Sequence, residues 1–466
     1  MSHPARLPAW ARIALIVLAV VAFGRALVVV RHDPLLAYAN NYDQIRFTAC
    51  LDLAPWRPGV GADVAHPSGP LSRFAFQPLS SDACLWTSDL LFTAPVALAW
   101  RMGEAAGGRS IHSVRRLAEF RLVAWFAVAL WATLFFLRER RVDIAIAHLA
   151  WLALVGVDPA NTLYLATFYA EPAAVFGAYA CGVGAIAALL RPTRGALAMA
   201  AFGALVLAAS KFQHLLLPMA LAFAVLIGAR RAGLRATLAI LVGAVLGCAV
   251  QIGNEARGTW MIRDIGMINR ADYVLTVLLP ETSDRARVAK ALDIDDTCLA
   301  YSGKNVYEIP IATEKACKTV HDWRRGTMWW LLVSDPPALV RALSRIPELL
   351  LPWQSEKLGL VEGVEYGKLP ASTPSLNGLF GHSVAVAWTL LAMPWIVCVV
   401  CVLRRAPAST LAFAVLCAVG SSAVAIVALL GDGDVEYAKH AQLVIDFALA
   451  SLMIPLAAAV RRFTSD

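Results

Sequence analysis

Apolar runs of nearly membrane-spanning length recur along the chain, and polar segments separate them. A helix needs about 20 mainly apolar residues to cross a bilayer. The runs cover residues 13–30, 120–137, 144–157, 173–190, 196–209, 215–227, 236–252, 384–403, 411–430 and 443–460. The pattern therefore predicts an all-α polytopic membrane protein with about ten transmembrane helices.

Composition supports this class of protein. Of the 466 residues, 59% are apolar and 16% are charged, and the mean hydropathy of +0.63 excludes a soluble globule of this size. The formal charge of +8 does not indicate nucleic acid as a partner, because the basic residues fall in small clusters between the apolar runs.

These basic clusters predict the orientation of the chain. If the ten runs alternate in direction, five clusters lie on the side of the amino terminus, which the positive-inside rule makes cytoplasmic. The clusters are Arg138 with Arg140 and Arg141, Arg191 with Arg194, Arg230 with Arg231 and Arg235, Arg404 with Arg405, and Arg461 with Arg462. Two long loops, residues 31–119 and 253–381, then lie on the non-cytoplasmic side. We interpret residues 1–466 as one membrane-embedded domain.

Some apolar segments are too short to span the membrane. Residues 90–100 contain Pro95 and precede Arg101, so we predict an interfacial helix, with a re-entrant element as the alternative. Residues 328–333 and 338–351 of the long loop have a similar interfacial character.

Cysteines support the assignment of the two long loops to an oxidising compartment. Cys50 and Cys84 fall in the first loop, and Cys298 and Cys317 fall in the second. An even number of cysteines in each loop fits disulfide bonds in a periplasm or lumen.

The first loop offers a candidate catalytic base shortly after the first apolar run. Asp43 is held just outside the predicted bilayer, where its carboxylate could deprotonate an acceptor hydroxyl. Tyr42 and Arg46 are the accompanying candidates for substrate binding. The alternative is that Asp43 caps or solvates an amphipathic helix.

A second candidate carboxylate opens the run at residues 173–190. Glu171 follows the aromatic residues Tyr164, Phe168 and Tyr169. Aromatic faces and a carboxylate at the edge of the hydrocarbon suit a sugar site, so Glu171 is a candidate catalytic residue and Tyr164 and Tyr169 are candidate substrate-binding residues. Glu171 could equally serve the dipole of its own helix.

The segment from residue 210 to 214 interrupts an apolar stretch. Lys211 is costly at membrane depth unless it meets an anion or lines a wet cavity, and Gln213 and His214 follow it. We therefore consider all three candidates for substrate binding. The alternative is a tight turn with a snorkelling lysine.

The last polar turn concentrates charge between two apolar runs. Asp432, Lys439 and His440 are further candidates for substrate binding. No calcium-loop pattern follows Asp432, and no residues are assigned to a metal. A requirement for a divalent cation is left open.

Transfer of a sugar from a polyprenyl phosphate would use these groups together. The departing lipid phosphate gains negative charge and needs cations, which Lys211, Lys439 and His440 could supply. A carboxylate such as Asp43 would accept the proton of the acceptor.

The motifs resemble those of the GT-C class of membrane glycosyltransferases. Residues 168–172, 210–214 and 431–433 with 439–440 are similar to segments of bacterial glycan-biosynthesis hexose transferases, including those associated with S-layer glycans. The resemblance implies an inverting hexosyltransferase of a bacterial inner membrane. It implies a polyprenyl-phosphate donor, a periplasmic glycan or lipid-linked acceptor, and interfacial helices at residues 44–53 and 90–100.

The chain departs from the usual pattern of this class in two places. Asp43 is followed by Gln44 where many members have an aspartate pair, and Lys439 precedes His440 where an arginine is more usual. Two other functions stay open: a ligase or polymerase of lipid-linked oligosaccharides, and a transporter or flippase of glycolipids.

Overall fold

The computed structural model describes residues 7–38, 44–57, 71–354, 358–360 and 369–465, and these residues are mostly helical. Within them, seven segments are long and apolar enough to cross a membrane. They are Ala9–Arg31, Arg115–Arg138, Glu171–Leu190, Phe212–Arg257, Val384–Leu403, Ala408–Asp432 and Gln442–Phe463. The prediction of an all-α, multi-pass membrane protein is therefore confirmed.

The remaining predicted spans fall on helices that do not meet this criterion alone. Val142–Gly156 and Pro159–Ala166 together could form an eighth span, but they are bent by 70°. Arg194–Ser210 is apolar but has only 17 residues. The total of about ten spans stays a prediction.

One long segment contains a helical hairpin. Phe212–Arg257 divides into the helices Leu217–Ala229 and Leu234–Arg257. Only the short turn Arg230–Gly233 connects them, so the two packed helices run in opposite directions. The Thr237 hydroxyl donates to the Ala222 carbonyl at 3.3 Å across the pair.

The other helices belong mainly to the two long loops. They are Ile45–Thr48, Leu90–Ala105, Trp260–Tyr273, Leu279–Glu281, Arg285–Leu292, Asp296–Leu299, Thr313–Ala316, Arg325–Val333, Pro336–Ser344, Ile346–Leu349, Asn377–Phe380 and Tyr437–His440. The last candidate span consists of two helices, Gln442–Ala450 and Met453–Ser465. Helices thus occur at each predicted interfacial segment, and their position at a membrane surface stays a prediction.

Two small antiparallel sheets in the loops were not predicted. One pairs Leu36–Tyr38 with Leu358–Leu360, and the other has the order Leu53–Pro55, Arg73–Phe76, His112–Ser113. The first sheet joins the beginning of the first loop to the second long loop. Disulfide bonds join Cys50 to Cys84 and Cys298 to Cys317, as the loop cysteines suggested.

Glycines let two of the helices approach until their backbones touch. A methyl group at Gly177 would lie 2.6 Å from the Leu207 backbone nitrogen, and one at Gly203 would collide with the Cys181 backbone. Small residues allow such close packing between membrane helices. The helices Glu171–Leu190 and Arg194–Ser210 are consequently held side by side along their length.

Candidate functional site

Charged segments that are far apart in sequence meet at a cavity of about 160 Å³ at one end of the helix bundle. Eight of the predicted site residues line it: Arg46, Tyr169, Glu171, Lys211, Gln213, Asp432, Lys439 and His440. We call this space the charged cavity. Its walls come from the first loop, one end of the glycine-packed helix pair, the long second loop and the last polar turn.

Glu171 and Lys211 form an ion pair in the charged cavity. Glu171 begins its helix, with Pro172 next to it in the first turn where a missing N–H costs nothing. Lys211 follows directly after the end of Arg194–Ser210, in an extended conformation. Because the glycine contacts fix these two antiparallel helices, the start of one and the end of the other are adjacent.

This ion pair bears on two alternatives raised by the sequence: that Glu171 only serves the dipole of its helix, and that Lys211 only snorkels from a tight turn. Glu171 is the first residue of its helix, after the N-cap Ala170, and its carboxylate is paired with Lys211, whose side chain is 17% exposed. The second carboxylate oxygen of Glu171, Oε2, is buried without a hydrogen-bond partner. An acceptor atom in this state can receive a hydroxyl proton or hydrogen bond from a bound molecule.

Asp432 is the centre of a second polar group in the cavity. The Gln213 amide donates to Asp432 Oδ2, and His440 Nε2 lies 3.2 Å from the same oxygen. Asp432 Oδ1 and Gln213 Oε1 are both buried without partners. Together with Glu171 Oε2, they give the cavity three buried acceptors for donor groups such as sugar hydroxyls.

Lys439 approaches the cavity from the last polar turn and is 5% exposed. Its Nζ atom lies 2.7 Å from Glu436 Oε2 and 5.1 Å from the centre of the Tyr169 ring. The turn needs a glycine at Gly433, where φ is +70° and a methyl group would collide with the Thr276 hydroxyl. The cation is thus placed over an aromatic face, a favourable geometry.

Two predicted residues do not line the charged cavity. Tyr164 is buried and packs edge-to-face with Tyr169, their ring centroids 6.1 Å apart. His214 is buried too, and its Nδ1 lies 3.0 Å from the Ser210 hydroxyl. Both support the wall from behind, so the prediction that they contact substrate directly finds no support in the geometry. Tyr42 and Asp43 lie outside the described residues.

Helix Trp260–Tyr273 also contributes to the cavity wall, which was not predicted from the sequence. Asp264, Ile268 and Asp272 line the cavity. Their spacing of four residues puts them on one helix face, and this pattern could have revealed them. Burial raises the pKa of Asp272 to about 7, and the nearby Asp432 and Asp434 add to this effect. Burial likewise raises the pKa of Asp264, and Glu314 adds to it.

A buried ion pair behind the cavity was missed as well. Arg121 NH2 donates to Asp89 Oδ2 at 2.6 Å, and both side chains are 1% exposed. Arg121 NH1 also donates to the carbonyls of Leu165 and Thr167, at 2.7 and 2.6 Å. This pair therefore holds the segment that leads to Tyr169 and Glu171.

Positive side chains line the charged cavity beside its carboxylates. Over the part of the chain that the structure describes, no group of three or more His, Cys, Asp and Glu side chains is placed to hold a metal ion. Lys211, Lys439 and Arg46 are the positive groups of its lining.

Fold and site together define a multi-pass helical membrane protein with a charged cavity at one end of its bundle. No family model, curated protein or solved structure matches the chain.

Proposed function

We propose that this protein is a GT-C-type membrane glycosyltransferase, which moves a hexose from a polyprenyl-phosphate donor to a periplasmic glycan or lipid-linked acceptor. The observation that carries the proposal is the convergence of four distant charged segments on one cavity. Lysines, carboxylates and an aromatic face meet there, beside the ends of apolar helices.

The cations of the cavity suit the leaving group of this reaction. The bond between the sugar C1 and the phosphate oxygen breaks, and the lipid phosphate departs with an additional negative charge. Lys211 faces Glu171 and Lys439 faces Glu436, so the phosphate would share these two cations with the carboxylates, and Arg46 adds a third positive group. The setting is largely buried, where fixed positive charge stabilises a transition state most effectively. No protonating acid is then needed for the leaving group.

The carboxylates suit the acceptor. Its hydroxyl oxygen forms the new bond to C1 and gives its proton to a base, and Glu171 Oε2 is a buried acceptor without a partner. Asp43 stays the second candidate for this role. A single displacement of this kind inverts the configuration at C1.

The remaining lining groups suit the sugar itself. The Tyr169 ring offers an apolar face, and the unpartnered oxygens of Asp432 and Gln213 accept hydroxyl hydrogen bonds. A neutral, hydroxyl-rich ring thereby finds both kinds of contact next to the cations.

The test is sugar transfer by the purified full chain in proteoliposomes. A polyprenyl-phosphate hexose is compared with a lipid-diphosphate oligosaccharide and a nucleotide sugar as donors, with separate detection of released lipid phosphate. We expect transfer from the first donor only. Lys211→Met and Glu171→Gln should each lower it by about 100-fold.

Lys318→Met is the matched control, because Lys318 also faces an acid, Asp295 at 3.5 Å, but is 72% exposed and lies away from the cavity. It should keep full activity. Transfer from the lipid-diphosphate donor would assign a ligase or polymerase instead. Movement of glycolipid across the bilayer without bond cleavage would assign a transporter.

A further inference from the structure

A second opening lies at the other end of the bundle. It is a cleft of about 1000 Å³ between the helices Val142–Trp151, Val384–Leu403, Ala408–Asp432 and the last span. Ser409 and Thr410 line it in the first turn of Ala408–Asp432, whereas Asp432, the last residue of that helix, lines the charged cavity. A helix of 25 residues separates its ends by about 37 Å, so the two sites are far apart.

The walls of this cleft are apolar and its rim is basic. Side chains such as Leu190, Ile396, Val400, Phe413 and Ile454 form the walls. Four arginines lie at the rim: Arg141, Arg404, Arg461 and Arg462.

The rim carries an excess of positive charge. Asp143 is the acidic residue of the lining, and Arg141 donates to both of its oxygens at 2.9 and 2.8 Å. Among the described residues, neither Arg404 nor Arg462 forms an ion pair, and both are exposed. The rim therefore offers an anion guanidinium groups that no carboxylate of the described residues neutralises.

The apolar space continues inward from the cleft. Ile186, Phe413 and Met453 line the cleft and also a smaller cavity of about 50 Å³. Tyr179 and Phe447 are among the further walls of that cavity. A flexible hydrocarbon chain that enters between the helices can therefore follow a continuous apolar surface toward the middle of the bundle.

We propose that this cleft binds an anionic phospholipid of the surrounding leaflet, with its phosphate between Arg404 and Arg462 and its acyl chain against the apolar walls. A free phosphate would leave these walls uncovered, and a zwitterionic lipid would not match the excess charge. The site is independent of the charged cavity and of the glycosyltransferase proposal.

The test measures retention of defined lipids by the delipidated full chain in detergent, using native mass spectrometry. Dioleoyl phosphatidylglycerol is the anionic probe, dioleoyl phosphatidylcholine is the zwitterionic probe, and inorganic phosphate is the competitor. We expect phosphatidylglycerol to bind at least about tenfold more tightly than phosphatidylcholine. The variant R404Q/R462Q should remove most of this preference.

R230Q/R231Q is the matched control, because these exposed arginines belong to another helix connection and do not line the cleft. It should bind phosphatidylglycerol like the unaltered chain. Met453→Trp fills the passage between cleft and inner cavity and should weaken binding of both lipids while all arginines remain. Circular dichroism verifies the fold of each variant.

Three results would overturn the proposal. Equal binding of the two lipids would show that the site does not select anions. An equal loss of phosphatidylglycerol binding in R404Q/R462Q and R230Q/R231Q would show that the preference comes from general surface charge. Displacement of phosphatidylglycerol by millimolar inorganic phosphate would show a charge patch without an acyl-chain site.

Discussion

Two ion pairs in this protein, Asp89–Arg121 and Glu171–Lys211, contain the same kinds of charge but have different surroundings. The first is enclosed, with both side chains 1% exposed, and Arg121 also donates to two backbone carbonyls. The second lines the charged cavity, and its lysine is 17% exposed.

The difference shows how one protein uses charge for two purposes. An enclosed pair has its hydrogen bonds directed at its own backbone, so it holds a segment in place. Both pairs leave a buried carboxylate oxygen without a partner, Asp89 Oδ1 in the first and Glu171 Oε2 in the second. Of the two, it is the second pair that lines the cavity, where a ligand can meet that oxygen. Loss of the first pair should therefore act on stability, and loss of the second pair should act on activity.

The largest effect is expected from Arg121→Met. This change leaves the Asp89 carboxylate buried without its partner and removes the donors to Leu165 and Thr167. Removal of one partner of such a pair costs about 3–5 kcal/mol of unfolding free energy. Denaturant unfolding in detergent, followed by tryptophan fluorescence, measures the loss.

The double variant Asp89→Leu with Arg121→Met is its control. It removes the orphaned charge as well, so it should be clearly more stable than Arg121→Met alone. If both variants are equally unstable, the backbone hydrogen bonds of Arg121 matter more than the charge.

The second-largest effect is expected from Lys211→Met. It is measured as the rate of sugar transfer from the polyprenyl-phosphate donor. Loss of one preorganised cation should lower the transfer rate by about 100-fold, with a smaller loss of stability than in Arg121→Met. Lys211→Arg keeps the charge and should retain part of the turnover. A loss of stability as large as that of Arg121→Met, with turnover unaffected, would reverse the roles of the two pairs.

A smaller effect is expected from pH, through Asp272 of the cavity wall. Its pKa is about 7 in the folded chain, above its ordinary value of 3.8, so the folded state binds more protons between these values. The free energy of unfolding should therefore fall as pH rises from about 4 to about 7, by at most about 1.4 kcal/mol per pH unit. Unfolding measured across this range should show a shallower fall in Asp272→Asn. Equal slopes would mean that Asp272 does not carry the effect.

The smallest effect is expected at Tyr169, which faces Lys439. Tyr169→Leu removes the ring, and a cation–π contact of about 1 kcal/mol corresponds to a roughly fivefold weaker donor affinity. Tyr169→Phe keeps the ring and should stay closer to the unaltered chain. Steady-state kinetics at varied donor concentration distinguish the two variants, and an equal change in both would assign the effect to the hydroxyl.

The sequence allowed much of this site to be predicted, because charge is costly beside an apolar run. Lys211 and Asp432 stood out for that reason, and both line the cavity. Arg121 did not stand out, since an arginine near the end of an apolar run resembles a snorkelling side chain. Tyr164 and His214 had the right neighbours in sequence, but their side chains lie behind the wall.

Sequence alone determined the helical membrane class and the polar segments between spans. It also suggested disulfide bonds, because each long loop contains two cysteines. Whether a helix can span a membrane depends on the hydropathy of its own residues, so this feature can be recognised in one stretch of chain. Tertiary structure decided which helix ends meet. Backbone contacts at Gly177 and Gly203 bring Glu171 next to Lys211, and contact between two helices depends on the surfaces of both.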